Sequence, residues 1–124
     1  MIKQLMHVPP HVVAFEATGD VTKDDFINTV HPAVQKAIKE TDELNYLLVL
    51  KTDIANFTAG AWWQDAVLGI KHLSKWRRAA IVTDNKNIQT FTTIFSALMP
   101  GEFKGFDHEK LQEAIDWIAV HDNK

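Results

Sequence analysis

Residues 46–50 read Y-L-L-V-L, and residues 79–83 read A-A-I-V-T. Both runs are apolar at nearly every position rather than at alternate positions. Such runs are typical of strands that are covered on both faces, as the inner strands of a parallel sheet are. Helical patterns flank each run, so the sequence predicts an α/β fold in which helices pack on both sides of a sheet.

Three further strands are predicted around these two. Residues 2–7 and 11–18 are apolar-rich runs, and the turn between them contains Pro9 and Pro10, which cannot donate backbone hydrogen bonds. The link is short enough for a hairpin, so we expect an antiparallel pair. Residues 102–106 are predicted to form a short edge strand. Because the remaining strands alternate with helices, the sequence predicts a mixed, largely parallel sheet of about five strands with about four helices.

The predicted helices have recognisable starts. Thr22 and Asp25 have the spacing of a capping box, and Pro32 should kink or split the helix that follows near His31. The other helices are predicted over residues 59–73, over residues 88–98 and after residue 107, with Asp107 as the N-cap of the last one.

Composition narrows the class of protein. The 124 residues are predicted to form a single domain over residues 1–124, with a formal charge of −3 and no cysteine. This charge does not favour a nucleic-acid partner, and the missing thiols exclude disulfides and cysteine-ligated metals. No apolar run approaches the roughly 18–20 residues that a membrane-spanning helix needs. We therefore expect a cytoplasmic protein with no integral membrane segment.

Three segments resemble a known family. They read F-T-A-G-A-W-W-Q-D-A-V-L-G-I-K-H-L from residue 57, R-A-A-I-V-T-D from residue 78 and L-M-P-G-E-F from residue 98. This pattern is similar to that of the SpoIIAA-like proteins, which share a fold with the STAS domains of anti-sigma-factor antagonists and sulfate transporters. The resemblance extends over residues 13–118 and implies a β-α superhelix. Most members of the family have no assigned function, so the resemblance implies an architecture rather than an activity.

The resemblance also directs attention to Thr58. In the antagonist STAS domains, a serine in an Asp-Ser-Ser/Thr-Gly turn opens the corresponding helix and is phosphorylated. Here Thr58 keeps a hydroxyl, whereas Phe57 occupies the position of the preceding acid. Thr58 is therefore a candidate for regulatory phosphorylation. The alternative is a threonine that only caps the helix, a position where threonine is common.

The adjacent indoles of Trp62 and Trp63 are the second feature of this helix. Neighbouring side chains on a helix point about 100° apart, so we expect only one indole to enter the core. The other would lie at a groove, a partner contact or a dimer contact. The predicted ligand- or partner-binding residues are Phe57, Thr58, Gly60, Trp62, Trp63 and Asp65.

Two functions are compatible with that site. The leading hypothesis is a non-catalytic interaction or regulatory module that binds a protein partner through the loop and helix beginning at Phe57. The alternative is a small carrier that holds a lipid-like apolar ligand beside Trp62 and Trp63, as related CRAL-TRIO folds do. A homodimer fits both, because exposed aromatic surface tends to be covered by a partner.

A basic cluster follows the same helix and consists of Lys71, Lys75, Arg77 and Arg78. Cations at the C-terminal end of a helix are stabilised by the helix dipole, which accounts for several of them. The functional alternative is a patch for an anionic partner or a membrane headgroup region.

Catalytic motifs are weak in this sequence. It contains no Gly-x-Ser-x-Gly elbow, no His-Glu-x-x-His pattern and no glycine-rich phosphate loop, so we predict no metal, no cofactor and no catalytic residue. The lesser alternative is an enzyme of unrecognised type, in which Asp53, Asp65, His72 and Asp84 would meet at a cleft beyond the strand ends.

Overall fold

The described residues form a five-stranded sheet whose spatial order follows the chain, β1-β2-β3-β4-β5. The computed structural model describes residues 1–53, 56–58, 60–61, 73–86, 88–89, 92 and 101–120. The strands are β1 (Ile2–Leu5), β2 (Val13–Ala17), β3 (Leu44–Leu50), β4 (Trp76–Val82) and β5 (Glu102–Phe106).

Strand directions agree with the sequence prediction. β1 and β2 are antiparallel, whereas β2, β3, β4 and β5 are all parallel to one another. The Pro9 carbonyl accepts a hydrogen bond from the Val12 N–H at 3.0 Å, which closes the turn between the first two strands. The predicted hairpin, the parallel strands and the edge position of β5 are therefore confirmed.

β3 is the central strand, and all seven of its residues are buried. Its side chains alternate between two apolar clusters on opposite faces of the sheet. Tyr46 and Leu48 join the cluster that contains Val34, whereas Leu47 joins the cluster that contains Ile118. The fully apolar pattern of residues 46–50 is thus explained by cover on both faces, as predicted.

β4 begins three residues earlier than the predicted start at residue 79. Trp76 lies in this strand, with its ring centroid 5.5 Å from that of Tyr46 and 5.2 Å from that of Phe103. Arg77 and Arg78 follow it in the strand rather than closing a helix. The prediction was wrong here because two adjacent arginines have the appearance of a solvated helix end, and their long-range partners cannot be recognised in the sequence.

The first helical segment has three parts. They are α1 (Lys23–Asp25), a π-helical turn (Phe26–Val30) and α2 (His31–Thr41). The Asp25 carboxylate accepts a hydrogen bond from the Thr22 N–H at 2.8 Å, so the predicted capping box is confirmed. Pro32 has no N–H to continue the α-helical ladder, and the His31 N–H reaches back five residues to the Phe26 carbonyl. The predicted kink or split near His31 is instead a π-helical turn, after which the chain continues in helical conformation through Val30 and His31 into α2.

The last helix, α3 (Leu111–Ala119), follows a 3₁₀ turn (His108–Lys110). Asp107 precedes that turn, but its side chain makes no capping hydrogen bond, so the predicted capping role is wrong. The carboxylate is engaged by Lys86 and Gln89 instead.

Only two helices longer than one turn, α2 and α3, occur within the described ranges, where the sequence predicts about four in all. The predicted helices over residues 59–73 and 88–98 fall mostly outside the described residues. None of the described helices combines the length and the apolar character that crossing a membrane requires.

Two close backbone contacts make glycine necessary in β5 and just before it. A Cβ at Gly105 would lie 2.8 Å from the Gln89 Cα, and one at Gly101 would lie 2.8 Å from the Trp76 carbonyl oxygen. We expect Gly105→Ala to lower the free energy of unfolding by about 1–3 kcal/mol, because backbone atoms must move. Urea unfolding measures the change.

Gly60→Ala is the matched control for Gly105→Ala. A Cβ there would lie 3.2 Å from the Lys23 Cβ, a looser contact than the 2.8 Å to the Gln89 Cα at Gly105, and the exposed lysine needs to shift by only a few tenths of an ångström. We expect this substitution to change the free energy of unfolding by no more than about 0.5 kcal/mol. Equal effects of the two substitutions would contradict the packing argument.

Candidate functional site

The loop that follows β3 returns to the start of α1 and is fixed there by backbone pairing. The Val21 N–H donates to the Asn56 carbonyl at 3.0 Å, and the Thr58 N–H donates to the Val21 carbonyl at 2.9 Å. Phe57 forms a parallel bridge with Val21 between these two hydrogen bonds. The segment that carries two of the predicted site residues is therefore held in an extended conformation against the body of the protein.

Phe57 and Thr58 point to different environments. The Phe57 side chain is buried, and its ring centroid lies 6.5 Å from that of Phe26. Thr58 is exposed, and its hydroxyl oxygen accepts a hydrogen bond from the Ala61 N–H at 3.1 Å. This bond has the geometry of an N-cap, so the predicted capping role of Thr58 is confirmed. Phe57 is an apolar anchor in the position where the antagonist pattern has an acid.

Gly60 lies against the side chain of Lys23. A Cβ at Gly60 would be 3.2 Å from the Lys23 Cβ, so the lysine stem covers this first helical turn. Both Lys23 and Asp24 are exposed beside it. We define the tip as residues 21–24 together with residues 56–58 and 60–61.

Several predicted residues lie outside the described ones. These are Trp62, Trp63, Asp65, Lys71 and His72. The expected divergence of the two indoles and the apolar-ligand hypothesis that depends on it therefore stay predictions, as does the homodimer.

The described members of the basic cluster contact the protein itself. Four successive backbone carbonyls at residues 117–120 each lie within hydrogen-bonding distance of a basic side chain. Arg78 donates a hydrogen bond to the Trp117 carbonyl at 2.6 Å. Arg77 donates to the Ile118 carbonyl at 3.1 Å and also to the Val120 carbonyl. The Nε2 atom of His11 lies 2.8 Å from the Ala119 carbonyl oxygen. A helix leaves its last four carbonyls without intrahelical donors, and here side chains supply them.

Arg77 and Arg78 are fixed further by their neighbours. The Arg77 guanidinium donates to the buried Asn45 side-chain oxygen at 2.8 Å. The Arg78 guanidinium lies 4.9 Å from the Trp117 ring centroid, and its Nε lies 3.8 Å from a Glu102 carboxylate oxygen. These contacts account for both arginines within the fold, where cations at the negative end of the α3 dipole are stabilising.

Lys75 is the remaining described member of the cluster. Its ammonium lies 2.6 Å from the Asp42 carboxylate. An anionic-partner patch over these residues stays a prediction. A partner there would have to compete with the contacts that these residues already make within the protein.

Replacing Arg77 should destabilise the protein. Arg77→Met removes the donor from the buried Asn45 oxygen and from two carbonyls of the α3 end, so we expect the free energy of unfolding to fall by about 1–3 kcal/mol. Urea unfolding at neutral pH measures this loss.

Lys39→Met is the control for Arg77→Met. Lys39 is exposed in the last turn of α2, and we expect its replacement to have an effect within about 0.5 kcal/mol. An Arg77→Met protein as stable as the Lys39→Met protein would show that the capping contacts contribute little.

A polar cluster lies at the carboxyl edge of the parallel strands. His108, just before α3, lies against the end of β4: its N–H donates to one Asp84 carboxylate oxygen at 3.0 Å, and its ring Nδ1 lies 3.1 Å from the other. The ring Nε2 lies 2.6 Å from the Leu50 carbonyl at the end of β3. Among the predicted edge residues, Asp84 does lie at this edge, but its partner is His108, which the sequence analysis missed.

A second carboxylate lies beside this cluster. Asp107 accepts hydrogen bonds from the Lys86 ammonium at 2.6 Å and from the Gln89 side chain at 2.7 Å. The Lys86 ammonium, followed by Gln89, lowers the pKa of Asp107 below its usual value. Similarly, the His108 N–H and then its ring lower the pKa of Asp84.

The cluster opens onto a shallow cleft of about 520 Å³ between β5 and α3. Lys104, Phe106, Lys110 and Trp117 are among the residues that line it. No group of three histidine, aspartate or glutamate side chains in the described ranges is arranged to hold a metal ion. The main acidic groups at this edge are instead bound to neighbouring donors.

The pKa of Asp107 gives a test of this cluster. Because the folded pKa lies below the usual 3.8, the ionised carboxylate contributes stability above that pH and loses it as the pH falls through the folded pKa. We expect Asp107→Asn to lose less stability than wild type between about pH 7 and pH 2.5. Urea unfolding at the two pH values measures the difference.

Asp24→Asn is the control for Asp107→Asn. Asp24 is exposed and makes no hydrogen bond or ion pair within the described part of the chain. We expect this variant to retain the wild-type dependence on pH. If Asp107→Asn also retained it, the ion pair with Lys86 would not stabilise the fold.

Comparisons with known proteins agree with this architecture. The SpoIIAA-like family model matches residues 12–119. The chain is also similar to an uncharacterised protein of the DUF3478 family with a SpoIIAA-like fold from Shewanella loihica PV-4. The two share 26% sequence identity over 95% of this chain and 94% of the other, with a TM-score of 0.75. No curated protein matches the chain.

Proposed function

Because the chain belongs to the SpoIIAA-like family, we propose that it is a non-catalytic interaction or regulatory module that binds a protein partner through the tip. The observation that carries this proposal is the contrast within the tip. Phe57 is buried as an anchor, whereas the next residue, Thr58, is exposed at the start of a helix.

Preorganisation supports recognition at this place. The two backbone hydrogen bonds to Val21 and the buried Phe57 ring fix the loop from both sides. A partner that binds a loop already held in one conformation loses less conformational entropy than one that must order the loop. The tip is therefore well suited to protein recognition.

The polar groups of the tip indicate what a partner would contact. Lys23 and Asp24 are both exposed and make no ion pair within the described residues, and Asn56 and Thr58 are exposed beside them. Such a surface of mixed charge suits the polar rim of a protein interface.

The polar groups at the carboxyl edge favour binding over catalysis. A general base must have a ring nitrogen or carboxylate oxygen within reach of a substrate proton. Both ring nitrogens of His108 are occupied, by Asp84 and by the Leu50 carbonyl. The Oδ1 atom of Asp107 accepts the hydrogen bonds from both Lys86 and Gln89.

Phosphorylation of Thr58 is the regulation that we propose for this module. The hydroxyl is exposed, and a phosphate there would lie at the positive end of a helix. It would also replace a neutral cap with a dianion beside Lys23. A partner matched to the neutral tip would then be rejected.

Site-specific photo-crosslinking in cells tests the proposal. A benzophenone amino acid placed at Lys23, next to Gly60, should form an adduct with a protein partner, whereas the same group at the exposed Lys39 should not. The partner identified by mass spectrometry is then purified, and its affinity for the wild-type protein is measured by calorimetry. We expect Thr58→Glu to weaken binding about tenfold or more and Thr58→Ser to preserve it, since a loss of 1.4 kcal/mol is tenfold.

The opposite outcomes are equally specific. Adducts at Lys39 but not at Lys23 would place the interface elsewhere on the protein. Equal affinities of the wild-type, Thr58→Glu and Thr58→Ser proteins would remove Thr58 from the interface. A purified protein that turns over a metabolite, with activity abolished by Asp65→Asn, would overturn the non-catalytic assignment.

A further inference from the structure

We propose that the outer edge of β5 is a docking site for an extended segment of a partner protein, which adds to the sheet as an antiparallel strand. The segment carries an apolar residue, any residue and an acidic residue, in that order. β5 is an edge strand of the described sheet, with β4 on its other side. Edge strands present backbone groups with which a further strand can pair. This site is separate from the tip and does not depend on the partner proposed for the tip.

The backbone of Gly105 faces this outer edge. The Phe106 carbonyl accepts a hydrogen bond from the Thr83 N–H at 2.8 Å, so the backbone groups of Phe106 face β4. Successive residues of a strand direct their N–H and C=O groups to alternate sides, and the register between β4 and β5 is regular. The N–H and C=O of Gly105 therefore point away from β4. Within the described part of the chain, neither group hydrogen-bonds to another residue.

The cleft between β5 and α3 adds side-chain contacts to this backbone edge. Lys104 and Phe106 project from one face of β5 into the cleft, because alternate residues of a strand share a face. Gly105 lies between them and packs against Gln89 on the opposite face. The Phe106 ring centroid lies 5.8 Å from that of Trp117, so the cleft has an aromatic floor. Its volume of about 520 Å³ can receive the side chains of a docked segment.

Lys104 is the charge in the cleft that an incoming residue can pair with. Its ammonium lies 5.1 Å from the Phe106 ring centroid and 5.9 Å from that of Trp117, and no carboxylate of the described residues lies within 4 Å of it. The three carboxylates that line the cleft already have donors: Lys86 and Gln89 for Asp107, Lys110 for Glu113, and Gln112 for Asp116. An acidic side chain that enters the cleft therefore finds its partner in Lys104.

Antiparallel pairing turns these positions into a sequence pattern. The segment residue opposite Gly105 exchanges two backbone hydrogen bonds with it. The preceding residue of the segment then lies opposite Phe106, and the following residue lies opposite Lys104, with both side chains directed into the cleft. An apolar side chain in the first position packs on the Phe106 and Trp117 rings, and an acidic side chain in the second pairs with the Lys104 ammonium. We expect the antiparallel direction because it is slightly more stable per residue than the parallel one.

Two short threonine-rich peptides with blocked ends test the site. One contains Leu-Thr-Glu and the other contains the same residues in the order Glu-Thr-Leu, so their composition and charge are equal. In NMR titrations of the nitrogen-15-labelled protein, we expect the first peptide to bind about fivefold more tightly, because only its order places the acid opposite Lys104. The largest shifts should occur at the amides of residues 104–106. Methylation of the central threonine nitrogen of the peptide should abolish binding, since that N–H donates to the Gly105 carbonyl.

Reversal of the charge at Lys104 is the second test. Lys104 is exposed, and we expect Lys104→Glu to bind the Leu-Thr-Glu peptide about fivefold more weakly than wild type, because like charges then lie opposite each other. The same variant should prefer a peptide that contains Leu-Thr-Lys. Lys39→Glu makes the same change of charge at an exposed position of α2, and this control should keep the wild-type preference for the acidic peptide.

Several results would overturn the proposal. They are equal affinities of the two peptides for wild type, no binding of either peptide, shifts that lie away from β5 and α3, and an unchanged preference in Lys104→Glu. Sedimentation of the protein without peptide adds one more: a dimer that Lys104→Glu converts into a monomer would show that a second copy of the chain occupies this edge. If Lys104→Glu does not fold, the comparison of the two peptides on wild type decides the question.

Discussion

The carboxyl-terminal end of α3 is held by cations from elsewhere in the chain, and the cover of one face of the sheet depends on this contact. A helix of nine residues leaves a large fraction of its carbonyls without intrahelical donors. Arg77 and Arg78 supply donors from β4, and His11 lies at the same helix end from just before β2. Arg77 also donates a hydrogen bond to the side chain of Asn45, which lies in β3. The apolar residues of α3 can then cover their face of the sheet.

This arrangement gives the two edges of the parallel strands different roles. The edge where the strands begin is closed by the α3 end and its arginines. The edge where the strands end carries polar groups: the exposed Thr58 at the tip, and Asp84 with the partly buried His108 beyond the end of β4. Open α/β sheets bind ligands at the carboxyl ends of their strands, because loops and helix starts meet there. The proposed partner surface follows from this general property.

Local patterns predicted the parts of this structure that depend on neighbouring residues. The apolar run at residues 46–50 identified a strand covered on both faces, and the hydroxyl of Thr58 identified a helix cap. The roles of Arg77 and His108 were missed, because each contacts residues about 40 to 60 positions away in the chain. A basic residue looks the same in a sequence whether it faces solvent or a helix end. Asp107 was misassigned for the same reason, since its partners come from a different segment.

Hydrogen exchange of the α3 amides tests the central claim most directly, namely that Arg77 holds this helix on the sheet. In the wild-type protein, the amides of residues 111–119 that are hydrogen-bonded should exchange nearly as slowly as those of β3. In Arg77→Met, we expect α3 to exchange about tenfold faster relative to β3, because the helix end would open without global unfolding. Equal acceleration of α3 and β3, or α3 amides that are already unprotected in wild type, would contradict the account.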